Sequence, residues 1–379
     1  MKKILYVASV VKTHIMQFHV PYLRMMKEMG WTTAVAAGND YDDPAECHIP
    51  YCDRFYPISF ARNPFHPRNL KAYLALKKVI REGDFDLIHC HTPVGAALTR
   101  LAARKARKRG TRVLYTAHGF HFYRGASPLH WMLYYPVERV LAAWTDVLIT
   151  INREDYATAQ RFPAKRIEYM PGVGMDWARF ADVRQDRRAL RSSFGFDEDE
   201  FILLSVGELI PRKNHALLLQ SLNVLRQQGK LSRVRCVICG QGALEQRLKA
   251  QAAALGLLDR VLFMGYRNDV ERFYGAADAF VFLSRQEGLP VALMEAMAGG
   301  LPCLCSDVRG NRDLIQSEQN GLIVSSTPQA VAQTILRLMD SPDLCRKLGD
   351  AAQNAAKAYD LSGAIDRMKA IYLSAADSE

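Results

Sequence analysis

No run of the 379-residue sequence approaches the ~18 consecutive apolar residues that a membrane-spanning helix needs. The most apolar region, 131–151, is broken by Glu138, Arg139 and Asp146, and it reads as a buried helix followed by a strand. A secretory leader is lacking too. Lys2 and Lys3 ahead of the apolar stretch 4–11 imitate one, but Lys12, His14 and His19 follow with no small-residue cleavage site. A buried first strand explains the stretch better, and the expected location is the cytoplasm. Disulfide and zinc patterns are also missing among the eight cysteines. Cys236 and Cys239 are spaced C-x-x-C, yet inside an apolar strand-like run rather than on a turn, and Cys303 and Cys305 alternate within another. Structural thiols are expected.

The dinucleotide fingerprint is incomplete. Gly240-Gln241-Gly242 follows an apolar run but lacks the full G-x-G-x-x-G spacing and the later acidic residue, which argues against a dehydrogenase. No side chain stands out as a covalent nucleophile. Acidic residues are scarce in the first half: residues 1–190 carry 29 Lys and Arg against 17 Asp and Glu, a net +12, whereas 191–379 carry 21 against 22. The densest cluster is Arg104-Lys105-Ala106-Arg107-Lys108-Arg109. A one-sided basic domain points to an anionic partner, whether a membrane surface, a phosphorylated lipid or a nucleic acid, although the cluster alone reads equally well as a solvated helix end; no nucleic-acid module accompanies the charge.

What is present is alternation. Apolar runs of strand length at 3–9, 33–37, 86–91, 112–117 and 146–151 are followed, after residue 200, by 201–207, 234–240, 261–265, 279–284, 302–306 and 321–324. Segments apolar at i, i+3, i+4 lie between them, among them 70–81, 96–109, 216–228 and 244–255. Continuously apolar strands alternating with helices predict α/β architecture with parallel sheets covered on both faces. The pattern restarts near Phe201 after a polar stretch, 182–200, read as a linker. Two doubly wound Rossmann-like domains are expected, at 1–190 and 191–360, with a helix at 361–379 beyond the last strand. Such domains would present their strand ends to a common cleft.

The sharpest segment is Ser284 to Gly300. A strand ends near Ser284, a short loop carries Glu287, and a helix beginning at Pro290 stops at Gly299-Gly300. The free N–H groups of that helix start suit a phosphate. Glu287 and Glu295 would oppose an anion, so their expected partners are sugar and ribose hydroxyls. A second site follows the strand at 201–207, where Arg212 and Lys213 can stabilise a diphosphate leaving group. In the first half, His89, His91, His118 and His121 each follow a strand; two closely spaced pairs without a nearby carboxylate make a poor zinc site, and no metal is expected.

On these residues the sequence resembles family-4 glycosyltransferases of the GT-B fold, in the branch serving bacterial exopolysaccharide or capsule assembly. The resemblance runs from the opening strand through Gly172-Val173-Gly174-Met175-Asp176 to the last helix, and its most specific mark is Glu287 and Glu295 around Gly288-Leu289-Pro290. It implies a retaining, metal-independent hexosyltransferase using a nucleotide-sugar, with UDP as the expected nucleotide, and no cofactor. It implies catalytic roles for Glu287, Lys213, Arg212 and His118. The donor would be bound by Gly207, Lys213, Tyr266, Arg267, Glu287, Gly288, Leu289, Pro290, Val291 and Glu295, with Glu287 at the sugar, Glu295 at the ribose, and Tyr266 and Arg267 near the base. The last helix would cross back to the first domain. The acceptor, lipid-linked or a glycan, would meet Lys12, His14, His91 and His121, with the protein held weakly to the inner membrane surface by charge.

Two departures stand out. Glu208 occupies the place where many relatives have Arg, so either Arg212 supplies the second cation or Lys213 works alone, and Val10-Val11-Lys12-Thr13-His14 replaces a Gly-Gly pair after the first strand. Rival readings are a nucleotide-sugar epimerase of the same fold, for which no base is evident, and an inert nucleotide-sugar-binding partner subunit.

Overall fold

The computed structural model describes residues 1–377. The chain divides into two compact units: Met1–Val173 together with the last helix from Ser362 onward, and Gly174–Leu361. The boundary expected after residue 190 therefore falls earlier. The stretch expected as a linker, 182–200, contains the helix Arg187–Ser193 and belongs to the second unit. Its polar look has a local cause: Arg191, mostly buried, uses its guanidinium to satisfy the carbonyls of Ala276, Glu198 and Glu200.

The first unit holds seven strands: β1 (Lys3–Val10), β2 (Thr32–Gly38), β3 (Arg54–Pro57), β4 (Leu87–Cys90), β5 (Arg112–Ala117), β6 (Val147–Thr150) and β7 (Arg166–Tyr169). They form one sheet in the order β3-β2-β1-β4-β5-β6-β7, and every pairing is parallel. Parallel neighbours need crossover connections, so the sheet is covered by helices on both faces. One face buries Leu5, Val7, Ile88 and Val113 against the helices Arg68–Gly83 and Pro93–Ala102. The other buries Ile4, Tyr6, Leu87 and Leu114 against the helix Val20–Glu28 and the last helix, Leu361–Ala376. That helix returns to this unit, as expected, and inserts Met368, Ile371 and Tyr372 into the core.

The second unit has six strands: β8 (Phe201–Val206), β9 (Val234–Cys239), β10 (Val261–Gly265), β11 (Ala279–Phe282), β12 (Cys303–Ser306) and β13 (Leu322–Val324). Their order is β10-β9-β8-β11-β12-β13, again all parallel. The order reverses beside β8, so the loops after β8 and β11 open side by side, where open α/β sheets bind ligands. The eight cysteines are free thiols, and Cys236, Cys239, Cys303 and Cys305 are buried in β9 and β12, as read.

Two strands escape the sequence pattern. β3 and β7 are sheet edges of four residues each, with Arg-Phe-Tyr-Pro and Arg-Ile-Glu-Tyr in place of a continuous apolar run. The helix expected to be buried at the start of 131–151 is a correction. It spans Pro128–Ala142, and of its residues Leu141 and Ala142 are buried while Leu129, Met132, Val137 and Val140 lie in solvent. Hydropathy alone does not distinguish an apolar helix in the core from one laid on the surface.

The last helix is seated by a buried polar contact: the Tyr372 hydroxyl lies 2.7 Å from His89 Nδ1, whose Nε2 meets the Thr116 hydroxyl at 2.8 Å. Tyr372→Phe strips one partner from a buried imidazole while keeping the ring. It is expected to destabilise the first unit by about 1–3 kcal/mol. Urea unfolding should show a lower midpoint at an unchanged slope; an unchanged midpoint would mean the hydroxyl does not seat the helix.

Candidate active site

The chemistry-bearing loops of the second unit all leave the carboxyl ends of adjacent strands. Gly207 follows β8, Gly240 follows β9, Tyr266 follows β10 and Ser284 follows β11. They are tightly packed. A Cβ on Gly240 would lie 1.9 Å from the Gly207 carbonyl oxygen, and Gly207 itself lies under the Lys213 side chain. The Gly240-Gln241-Gly242 turn therefore lets β8 and β9 come together at this edge; Gln241 O accepts the Leu209 N–H at 2.9 Å.

Lys213 and Glu287 meet here. Lys213 Nζ lies 2.8 Å from Glu287 Oε1, and an Arg212 guanidinium nitrogen lies 3.0 Å from Oε2. The carboxylate is buried, 5% exposed, and the ammonium also lies 4.6 Å from the centre of the Phe282 ring. Burial pulls the Lys213 ammonium below its ordinary range, and the Glu287 charge opposes that shift. Backbone bonds fix the pair from both sides: Arg285 N–H donates to the Arg212 carbonyl at 2.8 Å, and Arg309 Nε donates to the Glu287 carbonyl at 3.0 Å. Asn214, in the left-handed region at φ 58°, turns the chain from Lys213 into the helix His215–Gln227.

After Glu287 the chain passes Gly288 and Leu289 to Pro290. The proline stands one residue before the helix Val291–Ala298 rather than at its first position. No side chain caps this helix, so the N–H groups of its first turn face outward. Gly310, at φ 75°, backs the turn closely: a Cβ there would meet the Gly288 carbonyl at 2.4 Å. Glu295 lies on the helix, half-buried, with Oε2 3.0 Å from the Tyr274 hydroxyl. Burial raises its carboxyl pKa, and the Tyr274 bond only partly counters that. Tyr266 is 68% exposed beyond β10, and Arg267 is held by Asp269 through two bonds of 2.8 and 2.7 Å.

Gly207, Arg212, Lys213, Glu287 and the Gly288–Val291 turn thus gather at one sheet edge, with Glu295 one helical turn behind and Tyr266 and Arg267 two strands away. Sequence reasoning missed that Glu287 is already neutralised by the two cations. It also missed Tyr274 and Arg309, which hold Glu295 and the Glu287 backbone; neither belongs to a local motif. A cavity of 680 Å³ lies at the opposite edge, near the start of β8 and β12, and its Arg187 and Arg191 are paired with Asp278.

In the first unit, β1, β4 and β5 are neighbours, and their ends bring four histidines together. His14, His19, His91 and His118 each offer a ring nitrogen within 4.8 Å of the others. The sequence reading weighed the pairs at 89/91 and 118/121; the fold assembles a different set. His89 is used by Tyr372 and Thr116, and His121 stacks on Tyr134 at 4.7 Å. Lys12 is exposed, 3.7 Å from Asp42. His19 had no sequence signal beyond its spacing of five from His14.

Comparison with known proteins agrees with this fold. Residues 22–172 match the model of Glycosyltransferase Family 4, and residues 186–355 match Glycosyl transferases group 1. A Bacillus subtilis (strain 168) protein named "Putative glycosyltransferase EpsD" is 41% identical over 98% of this chain and 96% of its own length. The UDP-Gal:alpha-D-GlcNAc-diphosphoundecaprenol alpha-1,3-galactosyltransferase of Escherichia coli is 26% identical over 84% of this chain and 83% of its own. Among solved structures, Anabaena Alr3699/HepE in complex with UDP and glucose superposes with a TM-score of 0.80 at 18% identity, over 99% of this chain and 100% of that one. Two doubly wound units of this kind have the GT-B fold. The chain belongs to glycosyltransferase family 4.

The raised Glu295 carboxyl makes a signed prediction. A group whose folded pKa exceeds its unfolded value stabilises fully below the unfolded pKa and loses that contribution as pH rises through the folded one. Glu295→Gln, which mimics the protonated acid, should therefore raise the unfolding midpoint of the second unit at pH 7 and leave it nearly unchanged at pH 4. Urea titrations at the two pH values check this; a midpoint that falls at pH 7 would contradict it.

Proposed function

We propose that this protein is a retaining hexosyltransferase that moves a sugar from a UDP-sugar to a lipid-carried or glycan acceptor in cell-surface polysaccharide assembly. The observation that carries the reading is the buried Glu287 carboxylate held between Lys213 and Arg212, in front of the uncapped helix start at Val291. In this mechanism the donor diphosphate takes over the two cations and the N–H groups of the helix start, and Glu287 turns to the sugar. The bond from the anomeric carbon to the diphosphate oxygen breaks as the acceptor oxygen bonds on the same face. The acceptor proton passes to the departing diphosphate, whose charge Lys213 and Arg212 stabilise. That charge is met without a metal ion. Glu295 accepts ribose hydroxyls, the base lies toward Tyr266 and Arg267, and His118, Lys12, His14, His91 and His121 serve the sugar and acceptor side.

A lipid-carried acceptor is favoured by the relative whose name specifies a diphosphoundecaprenol acceptor and by the surface of the first unit. No helix among the described residues is long and apolar enough to cross a membrane. Instead, the helix Pro128–Ala142 exposes Leu129, Trp131, Met132, Leu133 and Val137. Elsewhere on the same unit, a groove of 280 Å³ where two helices lead into β4 and β5 is lined by Lys77, Lys78, Arg81, Lys105 and Arg109 with no acidic residue. Exposed apolar side chains and a basic groove on one unit suit an anionic bilayer surface at the inner face of the membrane.

Nucleotide release from a panel of nucleotide-sugars, with and without a polyprenyl-diphosphate sugar in anionic vesicles, tests the reading. Release is expected with a UDP-sugar, stimulated by the lipid acceptor and sustained in EDTA. Lys213→Ala should lower turnover by roughly two to three orders of magnitude. Turnover that requires added Mg²⁺ or Mn²⁺, or no release from any donor, would overturn it.

The two glutamates should have separable effects. Free UDP and an intact UDP-sugar share the ribose, so Glu295→Ala is expected to weaken both, by about 1.5–3 kcal/mol for a lost charged hydrogen bond. Glu287→Ala should weaken the UDP-sugar and depress turnover with UDP affinity nearly unchanged. Calorimetry with UDP and a non-transferable UDP-sugar decides it, and equal losses for both ligands in both variants would remove the sugar from Glu287.

A further inference from the structure

We infer that His14, His19, His91 and His118 form a binding site for one transition-metal ion, with zinc the expected occupant. The site goes beyond sugar transfer, whose chemistry as proposed above uses no metal.

Its geometry is set by topology. His14 lies in the Val11–Ile15 turn directly after β1, His19 precedes the helix Val20–Glu28, and His91 and His118 follow the ends of β4 and β5. His14 Nε2 lies 3.2 Å from His19 Nε2, and His91 Nδ1 lies 3.2 Å from His118 Nε2. Tetrahedral zinc with nitrogen ligands at about 2.0–2.1 Å has ligand–ligand edges of roughly 3.3 Å, so both pairs already stand at the spacing of a coordination edge. All four ligand atoms fall within 4.8 Å of one another, so closing the remaining edges requires side-chain adjustment of an ångström or so.

His19 and His91 are buried, so packing holds their rings in place; their other ring nitrogens, His19 Nδ1 and His91 Nε2, point away from these edges and have no hydrogen-bond partner among the described residues. Asp40 binds the backbone of Lys12 and Thr13 and fixes the turn that carries His14. His14 and His118 are the less buried members and mark the side from which an ion enters. An all-imidazole donor set favours zinc, copper or nickel over magnesium, manganese or calcium.

The test uses the whole chain, stripped with a chelator, exposed to excess Zn²⁺ and desalted. Elemental analysis should find one zinc per chain, bound zinc should raise the melting temperature, and Co²⁺ in its place should give the intense visible bands of tetrahedral coordination. His91→Gln should weaken zinc roughly 100-fold or more, and His121→Gln, outside the cluster, should leave affinity unchanged. Because His91 is fully buried, the less buried His14→Asn and His118→Asn decide the matter if His91→Gln fails to fold. Failure of the wild-type chain to retain stoichiometric zinc, or wild-type affinity in folded His14→Asn and His118→Asn, would overturn the assignment. Because His14, His91 and His118 are also assigned to the sugar and acceptor side above, nucleotide release by the wild-type chain with and without bound zinc, rather than by these variants, separates failure of the metal site from failure of the transfer reading.

Discussion

A carboxylate as enclosed as Glu287 is stable only if its charge is met, and the second unit is arranged around that requirement. Removing an ion from water costs several kcal/mol, so a lone Glu287 would pull the loop open toward solvent. Lys213 and Arg212 meet the charge from the loop after β8, while Glu287 comes from the loop after β11. The pair therefore ties two strand ends that are 74 positions apart in sequence. It also holds two cations beside a helix start, a concentration of positive charge that would otherwise repel itself.

Close backbone approach supports that arrangement. Gly240 admits the Gly207 carbonyl and Gly310 admits the Gly288 carbonyl at distances no side chain would allow. These contacts bring β8 to β9, and the turn after β11 to the loop after β12. Here glycine is required by proximity, which differs from the phosphate-cradling role that a Gly-x-Gly turn first suggests.

Much of this was legible in the sequence because the relevant signals are local. Continuously apolar strands and i, i+3, i+4 helices mark the doubly wound plan, and eleven of thirteen strands follow it. The exceptions, β3 and β7, are edges, where half-exposed polar residues erase the pattern. The Glu287–Glu295 segment could be located because a loop, a proline and a helix sit together in sequence. What the sequence did not carry is pairing across distance. The resemblance groups Lys213 with Glu287 and His14 with His91, but no local signal announces the Lys213–Glu287 ion pair, the Arg309 bond to the Glu287 carbonyl or the joining of His14 and His91 with His19 and His118. The helix Pro128–Ala142 was misread for a related reason: apolar composition records a tendency to leave water, and the chain alone does not say whether the destination is its own core.

The two units show how one plan supports different chemistry. Both collect side chains at the carboxyl edge of a parallel sheet beside its first strand, β1 or β8, because right-handed crossovers deliver every βα loop there. In the second unit the collected groups are charged and compensate one another, which suits an anionic ligand that can replace one partner by another. In the first, burial has driven the collected imidazoles neutral, and two of their nitrogens remain unpartnered. A neutral, electron-pair-rich cluster has little attraction for a phosphate. It accepts protons reluctantly, so the same topology has built one edge of paired charges and one of neutral rings.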